Sequence, residues 1–298
     1  MRVALVTTSW PAHAGDPAGH FVRAHARELE DAGHAVEVIA PPPGGAFGWP
    51  GAAARLRERP LRALGAVRWM AEARARVAGL RADLVVAHWC LPSAWPIAAA
   101  STAPLHAVSH GGDVRLLVAL PQAVRHALVR ATCRRAVAWD FASRPLLDDL
   151  AASLDGATRA VLGRVASVRA PPIDLPDVSA AAARRRREIG PAPLAVCVGR
   201  LVRAKRVDRV IDHVARSAPP LTLVVVGDGP ERARLEERAR ARGIDGRFVG
   251  AVDRADALAW IGAADLLFHA SEAEGLSTVI REAEALGTPV VRLGAAAV

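Results

Sequence analysis

The most specific chemistry in this sequence sits in two acidic and two basic residues. Glu274 and Glu282 stand with seven residues between them in SEAEGLSTVIREAEALGTPVV, residues 271–291. GLS would open a helix there, with Ser277 as its N-cap, Glu274 in the preceding loop and Glu282 inside the helix. The free amides of Gly275, Leu276 and Ser277 would then form a phosphate cradle at the positive end of the helix. From these positions Glu274 would face a sugar ring and Glu282 would accept hydrogen bonds from ribose hydroxyls. Upstream, GRLVRAK at residues 199–205 follows an apolar strand and precedes another helix. Gly199 lets the chain turn, Arg200 leaves the strand end and Lys205 begins the helix, so both cations converge on one anion. Lys205 is the only lysine among 39 basic residues, and a compact ammonium behaves differently from a guanidinium at a phosphate. The plain alternative is a set of solvated charges, which is the reading for Glu284. It is the combination, GR…K ahead of Glu-x7-Glu with GTPVV behind, that is specific.

These residues need a scaffold that delivers them to one edge. RVALVTT, the loop SWPAHAGDPAG, the amphipathic HFVRAHARELEDAG and AVEVIAP read as strand, loop, helix and strand, the opening of a parallel βαβ unit. ADLVVAHW and PLHAVSHGGD are further apolar runs ending in polar residues, and in open α/β sheets that C-terminal edge binds ligands. Regular alternation weakens between residues 150 and 192, where RAPPIDLPDVS and the basic AAARRRREIGPAP form a linker. The boundary is placed near residue 180, giving domains 1–180 and 181–298. A second series then runs from LAVCVGR through KRVDRVIDHVARS and LTLVVVGDG to LSTVIREAEALG and TPVVRL. Val207, Val210, Ile211 and Val214 recur at helical spacing, so one face of that helix packs on a sheet. The fold class is α/β: two Rossmann-like domains with parallel sheets facing a cleft.

Composition narrows the function. The chain has 298 residues, 52% of them hydrophobic, which is enough for two cores, and no apolar run long enough to span a membrane. MRVALVTTSW has no apolar stretch and cleavage site of a leader, so a cytoplasmic protein is expected. Cys90, Cys133 and Cys197 form no CxxC and read as buried thiols. A net charge of +9 suits an anionic partner, but the absence of a recognition motif or clustered aromatics argues against nucleic acid.

VGRLVRAKRVD, VVVGDGPERARLEERARARG and VGAVDRADALAWIGAADLLFHASEAEGLSTVIREAEALGTPVV, in that order, resemble the second domain of the retaining GT-B glycosyltransferases of family 4. GHFVRAHARELEDAGHAVEVIAP, ADLVVAHWCLP and HGGDV resemble the first domain more loosely. The resemblance implies a nucleotide-diphosphate sugar as donor substrate, bound mainly by the second domain, and no resident cofactor. Arg200 and Lys205 match the pair that neutralises the donor diphosphate, Glu282 the ribose-binding glutamate and Glu274 the glutamate near the transferred sugar. His110 of HGGD matches the histidine that approaches the sugar from the acceptor side. No Asp-x-Asp motif is present, in keeping with a metal-free site. A glycan or lipid-linked acceptor is what the family implies.

Other features carry less. Gly15 and Gly19 in the first loop are placed near the donor phosphates, without the adjacent Gly-Gly common in the family. GDGPE at residues 227–231 is read as strand-to-helix punctuation. The basic, amphipathic DVRLLVALPQAVRHALVRATCRRA, interrupted by Pro121, falls where some relatives touch the inner face of a membrane. A solvated helix is favoured over that peripheral contact. The family's second domain continues past GTPVV, whereas this sequence ends in RLGAAAV. An incomplete second domain with an exposed sheet edge and apolar patch is therefore expected. Two alternatives to transfer follow: a GT-B sugar-nucleotide epimerase, or a catalytically silent remnant.

Overall fold

A computed structural model describes the chain apart from residues 14, 17, 49, 50, 245, 272–275 and 295–298 and the side chain of residue 53. The chain divides into two compact units, Met1–Asp174 and Leu175–Val298.

The first unit is built on a six-stranded, wholly parallel sheet. Its elements in order are β1 (Arg2–Val6), α1 (His20–Asp31), β2 (Ala35–Ile39), α2 (Ala52–Glu58), α3 (Arg62–Gly79), β3 (Leu84–His88), β4 (Leu105–Ser109), α4 (Gly112–Ala119), α5 (Gln122–Cys133), β5 (Ala136–Phe141), α6 (Arg144–Ala152), α7 (Gly156–Gly163) and β6 (Ala166–Val168). The strands lie side by side as β2-β1-β3-β4-β5-β6. Parallel strands covered on both faces read as unbroken apolar runs, and Val3–Val6 and Val85–Ala87 are buried accordingly. This register brings the C-terminal ends of β1, β3 and β4 together, with Val6 opposite Ala87 and His88 opposite Val108. Leu120 and Pro121 separate α4 from α5, because proline has no amide for the ladder and holds the preceding residue extended. The strands β5 and β6 fall outside the elements read from the sequence; AVAWDF follows an Arg-rich helix end and buries Trp139 and Phe141 completely.

The second unit holds α8 (Ser179–Ile189), β7 (Leu194–Val198), α9 (Val207–Val214), β8 (Thr222–Val226), α10 (Arg232–Ala241), β9 (Gly246–Gly250), α11 (Arg254–Ala263), β10 (Leu266–His269), α12 (Thr278–Ala285) and β11 (Val290–Arg292). Its five parallel strands are ordered β11-β10-β7-β8-β9. Val207, Val210, Ile211 and Val214 are all buried, as their spacing requires. The division lies before the expected residue 180, because Val178 and Ala182 are buried in the core formed by Leu194, Leu258 and Ile261. The basic stretch is thus the first helix of the second unit, and its polar face carries ion pairs such as Arg185 with Asp256 at 2.6 Å. Among the described residues the second unit shows no such apolar patch: the strongly exposed large hydrophobic side chains, Leu61, Leu64 and Val137 among them, belong to the first unit.

Candidate functional site

In the second unit the loop after β7 is held rigidly. Gly199 N and Leu201 N donate to Val226 O and Asp228 O, both at 2.9 Å, and the buried Leu201 accepts from Glu231 N at 3.0 Å. The loops after β7 and β8 pass so closely that a Cβ on Gly227 would lie 1.9 Å from Gly199 O, and one on Gly229 would lie 2.4 Å from Leu201 O. GDGPE, read from the sequence as strand-to-helix punctuation, is a close-packed turn ahead of α10, which begins at Arg232, beyond Pro230. Fixing this turn fixes the exit of Arg200.

Lys205 returns to the same place. It ends a single 3-10 turn, Arg203–Lys205, and α9 begins only at Val207, after Arg206 in a left-handed conformation with φ 48. The expectation that Lys205 opens the helix is corrected to that extent. Its side chain folds back over the strand end, with Cε 3.9 Å from where a Cβ on Gly199 would sit. The ammonium is felt by Cys197 inside β7, whose thiol burial pushes up to about 12 while Lys205 pulls it down. Arg200 and Lys205 are thus brought to one strand end, at the edge where α/β sheets bind ligands.

Ser277 occupies the N-cap position of α12, with extended backbone and no side-chain capping bond. The first turn of this helix thus keeps its amides from being capped by Ser277, beside Leu276. Glu274 and Gly275 lie outside the described residues. Glu282 is 5% exposed, and its Oε1 accepts from Arg254 Nε at 3.2 Å and Nη2 at 2.9 Å. Burial raises the Glu282 carboxyl above the usual carboxylate range, and the Arg254 guanidinium opposes the rise. Arg254, itself 8% exposed, is the first residue of α11, behind an Asp253 cap that accepts from Asp256 N. The sequence reading missed Arg254 because a helix-opening arginine 28 residues from its partner leaves no periodic signal.

In the first unit, the HGGD turn is organised by Asp113. Its Oδ1 accepts from His110 N at 3.2 Å and Gly111 N at 3.1 Å, and its Oδ2 from Cys90 N at 2.8 Å. This buried carboxylate ties the end of β4 to the end of β3, and Gly111 takes a φ of 120 that a side chain would resist. The His110 ring lies 4.7 Å from that of Phe21 and 4.8 Å from that of Trp89. Trp89 has φ 68, a strained conformation for a bulky residue and one found most often where function over-determines the backbone. Burial lowers the His110 imidazole to about 4, against the pull of Asp113, so the ring is neutral at ordinary pH. Gly19 caps α1 with φ 69, and a Cβ there would lie 2.5 Å from Ser9 O. The close approach of the two loop segments accounts for this glycine, two residues ahead of Phe21. Phe21, Trp89 and His88 were not singled out from the sequence; only the polar ending of ADLVVAHW pointed to that edge.

The Cys90, Cys133 and Cys197 thiols are free and buried. Among the described residues no group of His, Cys, Asp and Glu is arranged to hold a metal, and no helix is long and apolar enough to cross a membrane.

Residues 181–293 match the family described as Glycosyl transferases group 1. The lipopolysaccharide core biosynthesis glycosyltransferase LpsE of Rhizobium meliloti is 38% identical over 100 residues, covering 34% of this chain and 29% of that protein. The GDP-mannose-dependent alpha-mannosyltransferase of Mycobacterium tuberculosis is 37% identical over 108 residues, covering 36% and 27%. These matches thus span less than a third of either relative's own length. Among solved structures, Anabaena HepE in complex with UDP and glucose superposes with a TM-score of 0.64 at 20% identity, over 98% of this chain and 80% of that one. The chain has the GT-B fold, and residues 181–293 of its second unit are similar to the glycosyl transferases group 1 family.

Proposed function

We propose that this chain is a glycosyltransferase that moves a sugar from a nucleotide-diphosphate donor to a glycan or lipid-linked acceptor with retention of anomeric configuration. The observation that carries the reading is the return of Lys205 over Gly199, beside Arg200, at the end of β7. Two cations at a rigid strand end suit a diphosphate better than a single phosphate or a carboxylate. As the glycosidic bond breaks, negative charge builds on the departing diphosphate. Arg200, Lys205 and the amides opening α12, with Gly275, Leu276 and Ser277, stabilise it, the electrostatic kind of contribution usually worth most in catalysis. Glu282, oriented by Arg254, takes the ribose hydroxyls, and Glu274 the hydroxyls of the transferred sugar. In the first unit, His110 acts on that sugar from the acceptor side, as a neutral imidazole, and Gly19, which lets the first loop pack on Ser9, sets the backbone that faces the donor. The names of the relatives support the donor class: one is GDP-mannose-dependent and another is in complex with UDP. The enzyme works in the cytoplasm, where nucleotide-sugars are made, with a peripheral contact to the inner face of a membrane when its acceptor is lipid-linked.

The test is product analysis by NMR, with UDP- and GDP-sugars supplied with and without glycan and lipid-linked acceptors. The reading expects free nucleotide and an α-linked product from an α-linked donor, only when acceptor is present. A new sugar nucleotide formed from donor alone would mean epimerisation instead, and an unchanged donor under every condition would contradict catalysis.

A further inference from the structure

Behind His110 lies a file of imidazoles. His88, the last residue of β3, is fully buried, and its Nδ1 lies 2.9 Å from His110 Nε2. Its other nitrogen, Nε2, lies 3.0 Å from Nδ1 of His25, a buried residue of α1. The planes of His88 and His110 differ by 5° with centroids 5.1 Å apart. That separation is a 2.9 Å N···N contact plus two ring radii, so the rings lie edge to edge in one plane, the geometry of a straight N–H···N bond. The nitrogens face one another along the file and do not converge on a common point, which removes a metal as the explanation.

A neutral imidazole has one N–H and one lone pair. His88 therefore cannot donate at both ends; it donates one bond and accepts the other, and both bonds of the file run in the same direction. If His25 donates to His88, then His88 donates to His110 Nε2, and the His110 proton must sit on Nδ1. If the file runs the other way, Nδ1 of His110 carries a lone pair. The choice between a donor and an acceptor at His110 is thus made by residues that touch no substrate.

The surroundings decide the direction. At the His110 end the Asp113 carboxylate, which accepts from His110 N at 3.2 Å, attracts a proton to that ring, and with Nε2 turned to His88 the other ring nitrogen is Nδ1. At the His25 end the charges are balanced: Glu28 is paired with Arg169 at 2.7 Å, and Asp140 is taken by His106 at 2.8 Å and by Ser167. Glu28 and Asp140 pull a proton toward His25 while His106 and Arg169 oppose them, and among the described residues His25 Nε2 has no hydrogen-bond partner to hold a proton there. Burial lowers His25 to about 4 and His88 well below the ordinary histidine value, so the file is neutral and tautomer is its only freedom.

We infer that His88 and His25 are positioning residues: a one-way file of hydrogen bonds, His25 to His88 to His110, holds the His110 proton on Nδ1 and presents that imidazole to the sugar as a donor. This rests on the reading of His110 as the residue that meets the sugar, but its first test does not. Two-bond 1H–15N correlation of the wild-type protein at pH 7 should show His110 and His88 as Nδ1–H tautomers. The His25→Leu variant, which leaves His88 without a partner at Nε2, should shift His110 toward a mixture, and His25→Asn, which restores an amide near the Nδ1 position, should return it toward the wild-type pattern. A His110 found as Nε2–H in the wild type, or unmoved by His25→Leu in a folded variant, overturns the inference. The second readout is kinetic: His25→Leu should lower kcat about tenfold, the weight of one hydrogen bond at the transition state, with KM for the donor unchanged. A loss that appears in KM alone, or that His25→Asn fails to reverse, would mark a merely structural role. Correct tautomers with an inactive wild type would leave the file in place and break the functional reading.

Discussion

The two units handle charge in opposite ways. In the first, the residues gathered behind His110 are imidazoles that burial keeps neutral, His25 and His110 at about 4 and His88 lower. In the second, the corresponding edge is made of permanent charges: Arg200, Lys205 and the buried ion pair of Arg254 with Glu282 at 2.9 Å. The difference follows from what each neighbourhood offers. His88 has no carboxylate against its ring, so burial goes unopposed, whereas Glu282 is met by a guanidinium that cannot be deprotonated. One unit gathers neutral imidazoles, and the other keeps fixed charges.

Acid should separate them most strongly. A histidine whose folded value lies below its unfolded 6.5 is stabilising above that pH and loses its contribution as the pH falls toward the folded value. For His25 and His110 the window is pH 6.5 to about 4. Each then costs up to about 1.4 kcal/mol per pH unit, and His88 adds in the same direction. In the second unit, hydrogen bonds from Arg206 and Arg238 hold the Asp208 and Asp212 carboxyls below 3.8, so that contribution is lost only under stronger acid. Trp260 is the only tryptophan of residues 175–298, so fluorescence reports chiefly on the first unit. It should change between pH 6.5 and 4 while much of the helical circular dichroism survives. A single transition below pH 4 by both probes would erase the contrast.

The fixed charges of the second unit should resist removal one at a time. Arg254→Leu takes from the buried Glu282 the guanidinium that opposes its burial and should cost about 3–5 kcal/mol in urea unfolding, whereas Arg254→Leu with Glu282→Met should recover most of that loss. Equal losses in the single and double variants would mean that the ion pair itself, and not the penalty of a stranded buried carboxylate, carries the stability.

Glycine substitutions sharpen the contrast at smaller scale. Gly227→Ala in the second unit would drive a Cβ to 1.9 Å from Gly199 O and should cost about 3 kcal/mol, displacing the loop that carries Arg200. Gly33→Ala in the first unit meets nothing within 4 Å and bears only the left-handed penalty of about 1 kcal/mol. Thermal unfolding of the two variants checks the ranking, and equal costs would show that the loop after β8 yields.

The chain's periodicities account for why much of this was legible in advance. Apolar runs such as LTLVVVGDG and the stripe Val207, Val210, Ile211, Val214 allow only one covered, parallel arrangement, and GR…K reports a strand end because glycine and charge follow an apolar run. What escaped was set by contacts remote in sequence. Arg254 meets Glu282 across two helices, and His25, His88 and His110 come from three elements joined only by the sheet order. The division at residue 174 escaped for a similar reason: an Arg-rich stretch reads as a linker until Val178 and Ala182 are seen in the core. Glu274 and Gly275 lie outside the described residues and stand on the sequence reading alone.

The central claim, that the second unit holds a nucleotide diphosphate through Arg200 and Lys205, is tested most directly by calorimetric titration of UDP and GDP into the wild type and the Lys205→Ala variant. The account predicts saturable binding of one of them to the wild type, weakened about 100-fold in the variant, which is about 2.7 kcal/mol. Equal affinity in the two proteins, or no binding to a folded wild type, would contradict it.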